Sequence, residues 1–457
     1  MKTWMTLSLW ACALGLGTRA ARAEPLTLDA LIAQANRSAR VTMAEADRAA
    51  AAARVAEADG ARLPRVTATA FAAPSPEIRC VDAACTATDP TDFALRFSGA
   101  FIGGTINLTQ PLYTFGKISA GRAAAKAGLA AQAALEAGVR GDVALDAARA
   151  YWGLKVAREL RFMLEDGIDR LTGARDGFAQ RLAENDPDVT LIDQQRLDVI
   201  IAEATAQLAD AQQGEAQALA AVRALAGDGA ADIDAAPLTA VEATLAADAA
   251  LADAAVAGRP EVRAADAAVA AMGALTDLER AGWLPDLALI AGASGTVAQG
   301  VDDPPSAFAN DPYNRLSATL ALALRWQFEP GATQAKVGRA RAASQRAVAQ
   351  AALARTGARY DVATAAAEAR GAQARLTASA SGEQAAKAWL AAVVQADAVG
   401  TAEAKDLADA YIAWFQMRAR QAQAIYQWNV AVARLARATG EYPTTSARPT
   451  PAVEPTP

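Results

Sequence analysis

Two aspartates late in the sequence, Asp406 and Asp409, have the spacing that most invites a functional interpretation. Side chains three residues apart are neighbours on a helix, so both carboxylates are expected on one helix face. Carboxylates held close together raise one another's pKa and attract cations. From spacing alone, however, a solvated acidic face is the better interpretation, because such pairs are common on exposed helices.

A short polar loop, RCVDAACTATDPTD at 79–92, contains Cys80 and Cys85. In an oxidising compartment these two thiols are expected to form a local disulfide, and two free thiols are the alternative. The loop that they would close is short, so the bond would shape the loop more than it would stabilise the whole protein. A zinc site is not expected, because neither a histidine nor a second cysteine pair accompanies them.

The 457 residues include no histidine. The chain therefore lacks the commonest metal ligand and the commonest general base. The GATQAKVGR stretch at 331–339 lacks the glycine and lysine spacing of a Walker A loop. We expect no catalytic residue, no metal site and no cofactor, and we predict that the protein is not an enzyme. A net charge of −6 also argues against nucleic acid as a partner.

Residues 1–23 have the features of a secretory signal peptide. Lys2 is followed by an apolar stretch over 4–17, and Ala21-Arg22-Ala23 is a cleavage site before Glu24. An uncleaved anchor helix is the alternative, although the apolar stretch is short for a membrane span. A lipoprotein signal at Cys12 is disfavoured by Trp10. Later alanine-rich stretches are broken by charges every few residues, which excludes an inner-membrane pump.

The sequence is internally repeated. LPRVTATA at 63–70 is echoed by LPDLALIA at 284–291, and the helix opening at 121–132 is echoed at 338–348. We expect a first repeat over 24–226 and a second over 245–440, joined by a linker at 227–244 and followed by a disordered Pro/Thr-rich tail at 441–457. Each repeat is expected to contain a helix, a strand pair (about 63–109 and 284–328) and a long helical hairpin.

The clearest strand is the last one, over 314–328. Its apolar residues alternate with small or polar ones, which is typical of a barrel strand with lipid on one side and a wet lumen on the other. A strand of a soluble sandwich is the alternative. In the second strand, about 93–109, the apolar parity switches near Gly103-Gly104, which predicts a β-bulge there. The apolar face of the last strand comprises Leu316, Ala318, Leu320, Leu322, Leu324, Trp326 and Phe328.

The alanine-rich segments predict long helices, because alanine is the best helix former and adds little bulk. Proline is absent from 331–398, so one helix there would span about 100 Å. Helices of that length usually require coiled-coil-like packing. Further helices are expected at 27–61, 116–183, 190–226, 245–282 and 401–440.

Four strands cannot close a barrel in lipid, because the open edges would leave backbone groups without hydrogen bonds. Outer-membrane barrels need at least eight strands. A dimer would supply eight strands and a trimer twelve, and the residues alone do not choose between them.

From Leu26 to Gly440 the chain resembles the TolC-like outer-membrane efflux family. The resemblance rests on an opening helix, LTLDALIAQANRSA, on the strand-to-helix junction at 109–128 and above all on the last helices at 399–440. It implies a mixed α+β membrane protein: a homotrimer with a twelve-stranded β-barrel in outer-membrane lipid and a long α-helical coiled-coil tunnel across the periplasm. It also implies a passive exit duct of a tripartite efflux or type I secretion system, fed through a periplasmic adaptor by an RND-type or ABC-type inner-membrane pump.

The resemblance assigns roles to the periplasmic tip. Val399-Gly400-Thr401 corresponds to the turn that docks the adaptor, with Thr401 expected to cap the next helix, and Asp406 and Asp409 correspond to the acidic gate ring. A plain helical turn is the alternative. The first repeat departs from the pattern, because AENDPDVTLIDQQRL at 183–197 offers only Asp188 and Asp193 as weaker tip candidates. The competing function from another class is a periplasmic coiled-coil adaptor or scaffold without a pore.

Overall fold

A computed structural model describes residues 25–81, 97–184, 189–302, 313–399, 401 and 404–441. The expected signal peptide, Cys85, Asp188, Gly400 and the tail beyond 441 lie outside these residues. Within the described part of the chain, no helix combines the length and the hydropathy that a membrane span requires.

The chain has the same order of elements in each half: two short helices, two strands and two long helices. This confirms the mixed α+β fold class with its two structural repeats. The first half contains α1 (Leu28–Ala35), α2 (Ala39–Gly60), β1 (Arg65–Pro76), β2 (Phe97–Tyr113), α3 (Lys117–Ala183) and α4 (Leu191–Ala226), and the second contains α5 (Asp248–Gly258), α6 (Pro260–Ala281), β3 (Asp286–Ala298), β4 (Arg315–Arg325), α7 (Pro330–Ala398) and α8 (Ala404–Thr439).

The leading helix of each half is divided in two, where the sequence predicted one. In the first half the break falls before Ser38, which takes an extended conformation with ψ 158°. In the second half Arg259 is extended and Pro260 begins the next helix. A proline has no backbone N–H to give to a preceding turn, so it ends one helix and starts another.

The two longest helices, α3 with 67 residues and α7 with 69, each extend for about 100 Å. The buried side of α7 against α5 and α8 is built largely from alanine. Small side chains let the helix axes approach closely, so extended helical pairs form here without a thick core. The buried alanines of α7 are Ala347, Ala351, Ala358, Ala365, Ala366, Ala369, Ala372 and Ala386.

The four strands form one antiparallel sheet in the order β1-β2-β3-β4. The helices that lead into or out of these strands pack in the corresponding order, α2 on α3, α3 on α6 and α6 on α7. The sheet therefore continues into a helical layer with the same arrangement. β1 and β4 are the two edges, and among the described residues neither has a partner on its outer side.

The predicted bulge at Gly103-Gly104 is wrong. Pairing is continuous through both glycines, and the register shifts instead at Pro74/Pro76 and at Pro111/Tyr113. Proline cannot donate to the ladder, which explains both shifts. Gly103 is needed for space, because a Cβ there would lie 2.6 Å from Cζ of Phe71 and 2.7 Å from the Thr296 methyl carbon.

Candidate functional site

The two faces of the sheet differ in chemistry. In the observed register one face is apolar apart from Gln110 at its helical end, and its leucines on β4 are widely exposed, Leu316 to 89% and Leu320 to 74%. This extends to all four strands the alternation that the sequence predicted for the last one. The apolar face comprises Val66, Ala68, Ala70, Ala72, Ile102, Gly104, Ile106, Leu108, Leu287, Leu289, Ala291, Ala293, Gly295, Val297, Leu316, Ala318, Leu320, Leu322 and Leu324.

The opposite face is largely polar. Ser294 Oγ and Ser317 Oγ lie 2.7 Å apart across β3 and β4, and one hydroxyl donates to the other. The rings of Phe71 and Phe101 make an edge-to-face contact on the same face, with centroids 5.1 Å apart. The polar residues of this face are Arg65, Thr67, Thr69, Thr105, Asn107, Thr109, Asp286, Ser294, Thr296, Arg315, Ser317, Thr319 and Arg325.

Aromatic side chains gather where the sheet meets the helices. Trp326 and Phe328 were expected inside the last strand but follow it, since β4 ends at Arg325. Their ring centroids lie 5.3 Å apart, and Trp326 Nε1 donates to the Trp283 carbonyl oxygen at 3.2 Å. Tyr113 and Phe115 form a second pair, 4.6 Å apart, at the junction of β2 and α3.

At the end of the sheet away from the helices, the chain after β1 reaches past β2 to the chain after β3. Ile78 and Val301 form a parallel bridge, and Arg79 pairs with Asp302 at 2.8 Å. The Cys80 backbone N–H donates to the other oxygen of Asp302 at 3.1 Å. The hydrogen bond from the Cys80 N–H is the larger cause, and the one from the Arg79 guanidinium the smaller, of a lowered pKa at Asp302. We call residues 77–80 with 300–302 the outer strap.

Cys80, within the outer strap, is disulfide-bonded. Its expected partner, Cys85, lies outside the described residues, so the Cys80–Cys85 pairing stays a prediction. The strap is also anchored from below by Ser75, which is fully buried and accepts a hydrogen bond from the Gly300 N–H at 3.2 Å.

The turn between α7 and α8 is the expected docking tip. The Val399 side chain is 73% exposed there. The Thr401 N–H donates to the Ala396 carbonyl oxygen at 2.9 Å, and its hydroxyl donates to the same oxygen at 3.1 Å. Thr401 therefore caps the end of α7, whereas the sequence assigned it to the start of the next helix.

The corresponding turn of the first repeat is organised by Asp193. Its carboxylate accepts the Thr190 N–H at 3.0 Å, and the Asp193 N–H donates to the Thr190 hydroxyl oxygen at 3.3 Å. This reciprocal pair is a capping box at the start of α4, which satisfies N–H groups that the helix itself cannot. The pattern T-x-x-D was readable in the sequence. The capping box gives the Asp193 carboxylate a structural role within the chain.

Asp406 and Asp409 lie in the first turns of α8, close to the first-repeat tip. Asp406 is exposed, and Asp409 is partly covered and pairs with Arg196 Nη2 of α4 at 3.5 Å. Beneath them Ala408 packs in an apolar cluster with Phe178 of α3 and Leu197 of α4. The structure thus brings the two tips together, joined by Arg196, a residue that the sequence did not single out.

An ionic cluster around the buried Arg437 side chain joins three segments that are distant in sequence. The Arg437 guanidinium of α8 pairs with Glu261 of α6 and with Asp142 of α3, the latter at 2.9 Å. Burial is the largest single effect and opposes ionisation of Glu261, but the hydrogen bond from Arg437, a backbone hydrogen bond and the charges of Arg437 and Arg259 together outweigh it and lower the pKa of that carboxyl to about 2. Glu261 and Asp142 lie 176 and 295 residues from Arg437 in sequence, so no local pattern could have revealed the cluster.

The linker between the repeats is fixed by side chains from both halves. Lys155 Nζ of α3 binds Asp234 Oδ1 at 2.7 Å, and Tyr151 donates to the other oxygen of Asp234 at 2.6 Å. Burial, followed by the bond to Asp234, raises the pKa of Tyr151. From the second half, Asn429 accepts the Val241 N–H at 2.8 Å. The linker is therefore a structural part of both repeats.

Residues 251–441 match the family model described as "Outer membrane efflux protein". Among curated proteins no sequence matches.

Solved outer-membrane channels match the fold of almost the whole chain. VceC from Vibrio cholerae is 21% identical with a TM-score of 0.71, covering 91% of this chain and 96% of VceC. OprN is 20% identical with a TM-score of 0.72, covering 90% and 89%. MtrE from Neisseria gonorrhoeae, solved in its open state, is 18% identical with a TM-score of 0.72, covering 92% and 90%.

The sequence match covers the second repeat, and the fold match covers both. Together they confirm the expected resemblance to the TolC-like outer-membrane efflux family, by sequence over the second repeat and by fold over both.

Proposed function

We propose that three copies of this chain form a passive exit duct, which receives cargo from an inner-membrane pump through a periplasmic adaptor. The observation that carries the proposal is the division of the sheet into an apolar and a polar face. Lipid chains would contact the exposed leucines of the apolar face, and water would fill the space behind the threonines, serines and arginines. The aromatic residues at the junction with the helices fit the boundary between lipid and headgroups.

The two edges of the sheet determine how copies must meet. β1 and β4 each carry a row of backbone groups that would be unpaired in lipid, so β4 of one copy must pair with β1 of the next. Such a head-to-tail contact produces a ring. Two copies would give a barrel of about eight strands, whose interior is filled by side chains. Three copies are the smallest ring with room for a duct.

The helical layer supports the same arrangement. α2 and α7 are its two ends, directly beyond the edge strands. Both ends expose large apolar side chains, Met43 on α2 to 64% and Leu353 and Tyr360 on α7 to 71% each. In a ring these side chains would be covered by the neighbouring copy. The contact surface would therefore continue from the sheet into the helices.

At the tip, three copies of Asp406 and Asp409 would surround the axis and form a cation-favouring constriction. The Arg196–Asp409 pair would hold the constriction to the first-repeat tip. We assign Val399, Gly400 and Thr401 to contact with the adaptor, with the exposed Val399 side chain as its apolar anchor. Asp188 stays a weaker candidate for the same contact. An RND-type or ABC-type pump would supply the energy.

The test is the assembly and conductance of the purified protein in detergent and in planar bilayers. We expect particles of three chains that conduct ions and that fractionate with outer membranes. Cysteines introduced at Ala323 of β4 and Thr67 of β1, both on the polar face, should crosslink chains to one another and yield a three-chain species. A soluble, non-conducting monomer would overturn the proposal and favour a periplasmic adaptor or scaffold.

A further inference from the structure

Two arginines lie at the helical end of the sheet, one on each edge strand. Arg65 is the first residue of β1 and Arg325 is the last residue of β4. Both belong to the polar face, as the pairing of Arg65 with Thr109 and of Arg325 with Asp286 establishes. Both side chains are exposed. In the described part of the chain, neither guanidinium has an ion-pair partner.

Carboxylates close to these arginines in sequence or in the strand register have other partners. Asp286 lies opposite Arg325 in the register, yet it binds Lys117 Nζ at 2.8 Å. Asp59, at the end of α2 below Arg65, pairs with Arg122 of α3. Glu329, which precedes α7, accepts a hydrogen bond from the Gln327 amide at 2.7 Å. None of these three carboxylates therefore forms an ion pair with Arg65 or Arg325.

Ring closure would bring these arginines together. With β4 of one copy beside β1 of the next, Arg325 and the neighbour's Arg65 would lie on adjacent strands, on the lumen face and at the same end of the barrel. Adjacent strands are separated by about 5 Å, so the two positive charges repel each other unless an anion lies between them. Guanidinium groups bind phosphate and carboxylate oxygens in paired hydrogen bonds.

We propose that Arg65 and Arg325 form an anion-binding collar inside the duct, where the barrel meets the helices, and that the collar favours cargo bearing phosphate or carboxylate groups. The inference rests on the proposed ring. The collar would be a positively charged binding site between the acidic tip and the outer mouth of the duct. Cargo with an anionic group would bind to this site after passing the tip.

The experiment uses inorganic pyrophosphate as the probe in planar bilayers. Protein added to one chamber inserts with its barrel leading, because the long helices cannot cross the lipid, so the outer mouth opens to the opposite chamber. Pyrophosphate added to that chamber reaches the collar without passing the tip. We expect it to reduce the wild-type current in about 0.1 M KCl and to act much more weakly in 1 M KCl, where charges are screened within about 3 Å.

The Arg65→Gln/Arg325→Gln double variant should need at least about tenfold more pyrophosphate for half block, since both positive charges at the site are lost. Arg65→Lys/Arg325→Lys keeps the charge and should retain most of the block, which protects the test if the glutamine variant assembles poorly. Arg37→Gln is the matched control, because Arg37 is also exposed but precedes α2, whose 22 residues place it about 30 Å from the sheet along that helix.

The outcomes separate the two proposals. A conducting ring whose block is unchanged in the glutamine variant, or persists in 1 M KCl, overturns the collar alone. A wild-type protein that forms no conducting ring overturns the proposed function together with the collar.

Discussion

Arg437, near the end of α8, pairs with Glu261 at the start of α6 and holds that carboxylate ionised inside the helical layer. The Arg437 side chain is only 10% exposed, whereas that of Glu261 keeps 39% exposure. Since Asp142 of α3 binds the same guanidinium, one cation ties together helices from both repeats. The pair therefore links the C-terminal end of α8 to the layer that continues from the sheet.

This pair predicts a pH dependence of stability. The pKa of Glu261 is depressed to about 2 in the folded protein, so its contribution is fully present above the unfolded value near 4.5. That contribution is lost as the pH falls from there toward 2. Glu261→Gln should therefore flatten the decline in melting temperature over this pH range, measured by circular dichroism in detergent. Glu329→Gln is the control, and an equal flattening there would contradict the assignment.

The packing of Phe71 on Gly103 predicts that two adjacent glycines will differ. Gly103→Ala would place a methyl group 2.6 Å from the Phe71 ring and should destabilise the folded protein by about 1–3 kcal/mol. Gly104→Ala should cost less, because the nearest atom to its Cβ is the Thr69 carbonyl oxygen at 3.4 Å. Thermal unfolding of both variants in the same detergent measures the difference. Equal melting temperatures would show that the ring moves aside freely.

The proposed gate predicts a change in conduction. Asp406→Ala/Asp409→Ala removes the carboxylates of the constriction and frees Arg196, so single-channel conductance should rise and cation preference should fall. Both quantities follow from current–voltage curves in a KCl gradient. Asp210→Ala is the control, since Asp210 is exposed on α4 about 20 Å from Arg196 along the helix. Unchanged conductance and selectivity in the double variant would place the constriction elsewhere.

The outer strap predicts a protected trypsin site. Arg79 is the cleavable residue, and Asp302 holds both its guanidinium and the following Cys80 N–H. Asp302→Ala should therefore accelerate cleavage after Arg79 several-fold, which mass spectrometry of timed digests would detect. Asp248→Ala breaks another exposed aspartate–arginine pair, with Arg370, and should leave the rate at Arg79 unchanged. Slow cleavage in both variants would mean that the strap is held by other contacts, including its disulfide.

The elements that local pattern can encode were predictable. Alternation identified β4, alanine content identified the long helices, and the repeat identified the matching halves. The bulge at Gly103-Gly104 was wrong because Phe101 lies on the polar face, where its ring packs against Phe71, so the apolar parity changes without a shift of register. Trp326 and Phe328 continue the alternation beyond β4, so pattern alone could not find the end of that strand.

The contacts that connect distant segments could not be predicted. Arg196–Asp409 and Arg437–Glu261 join residues more than 170 positions apart, and nothing near either partner distinguishes it from other charged residues on these helices. The Thr190–Asp193 capping box is the exception, since its signature lies within four residues. Asp193 was instead assigned to the tip by family position.

The two open edges of the sheet have a genetic consequence. In the proposed ring every copy must pair with a neighbour at both edges. A chain that still pairs through β1 but cannot pair through β4 would therefore inactivate each ring that contains it. With equal amounts of intact and defective chains, only about one ring in eight would contain three intact copies. Defects at these edges should therefore behave as dominant alleles, whereas defects that prevent folding altogether should be recessive.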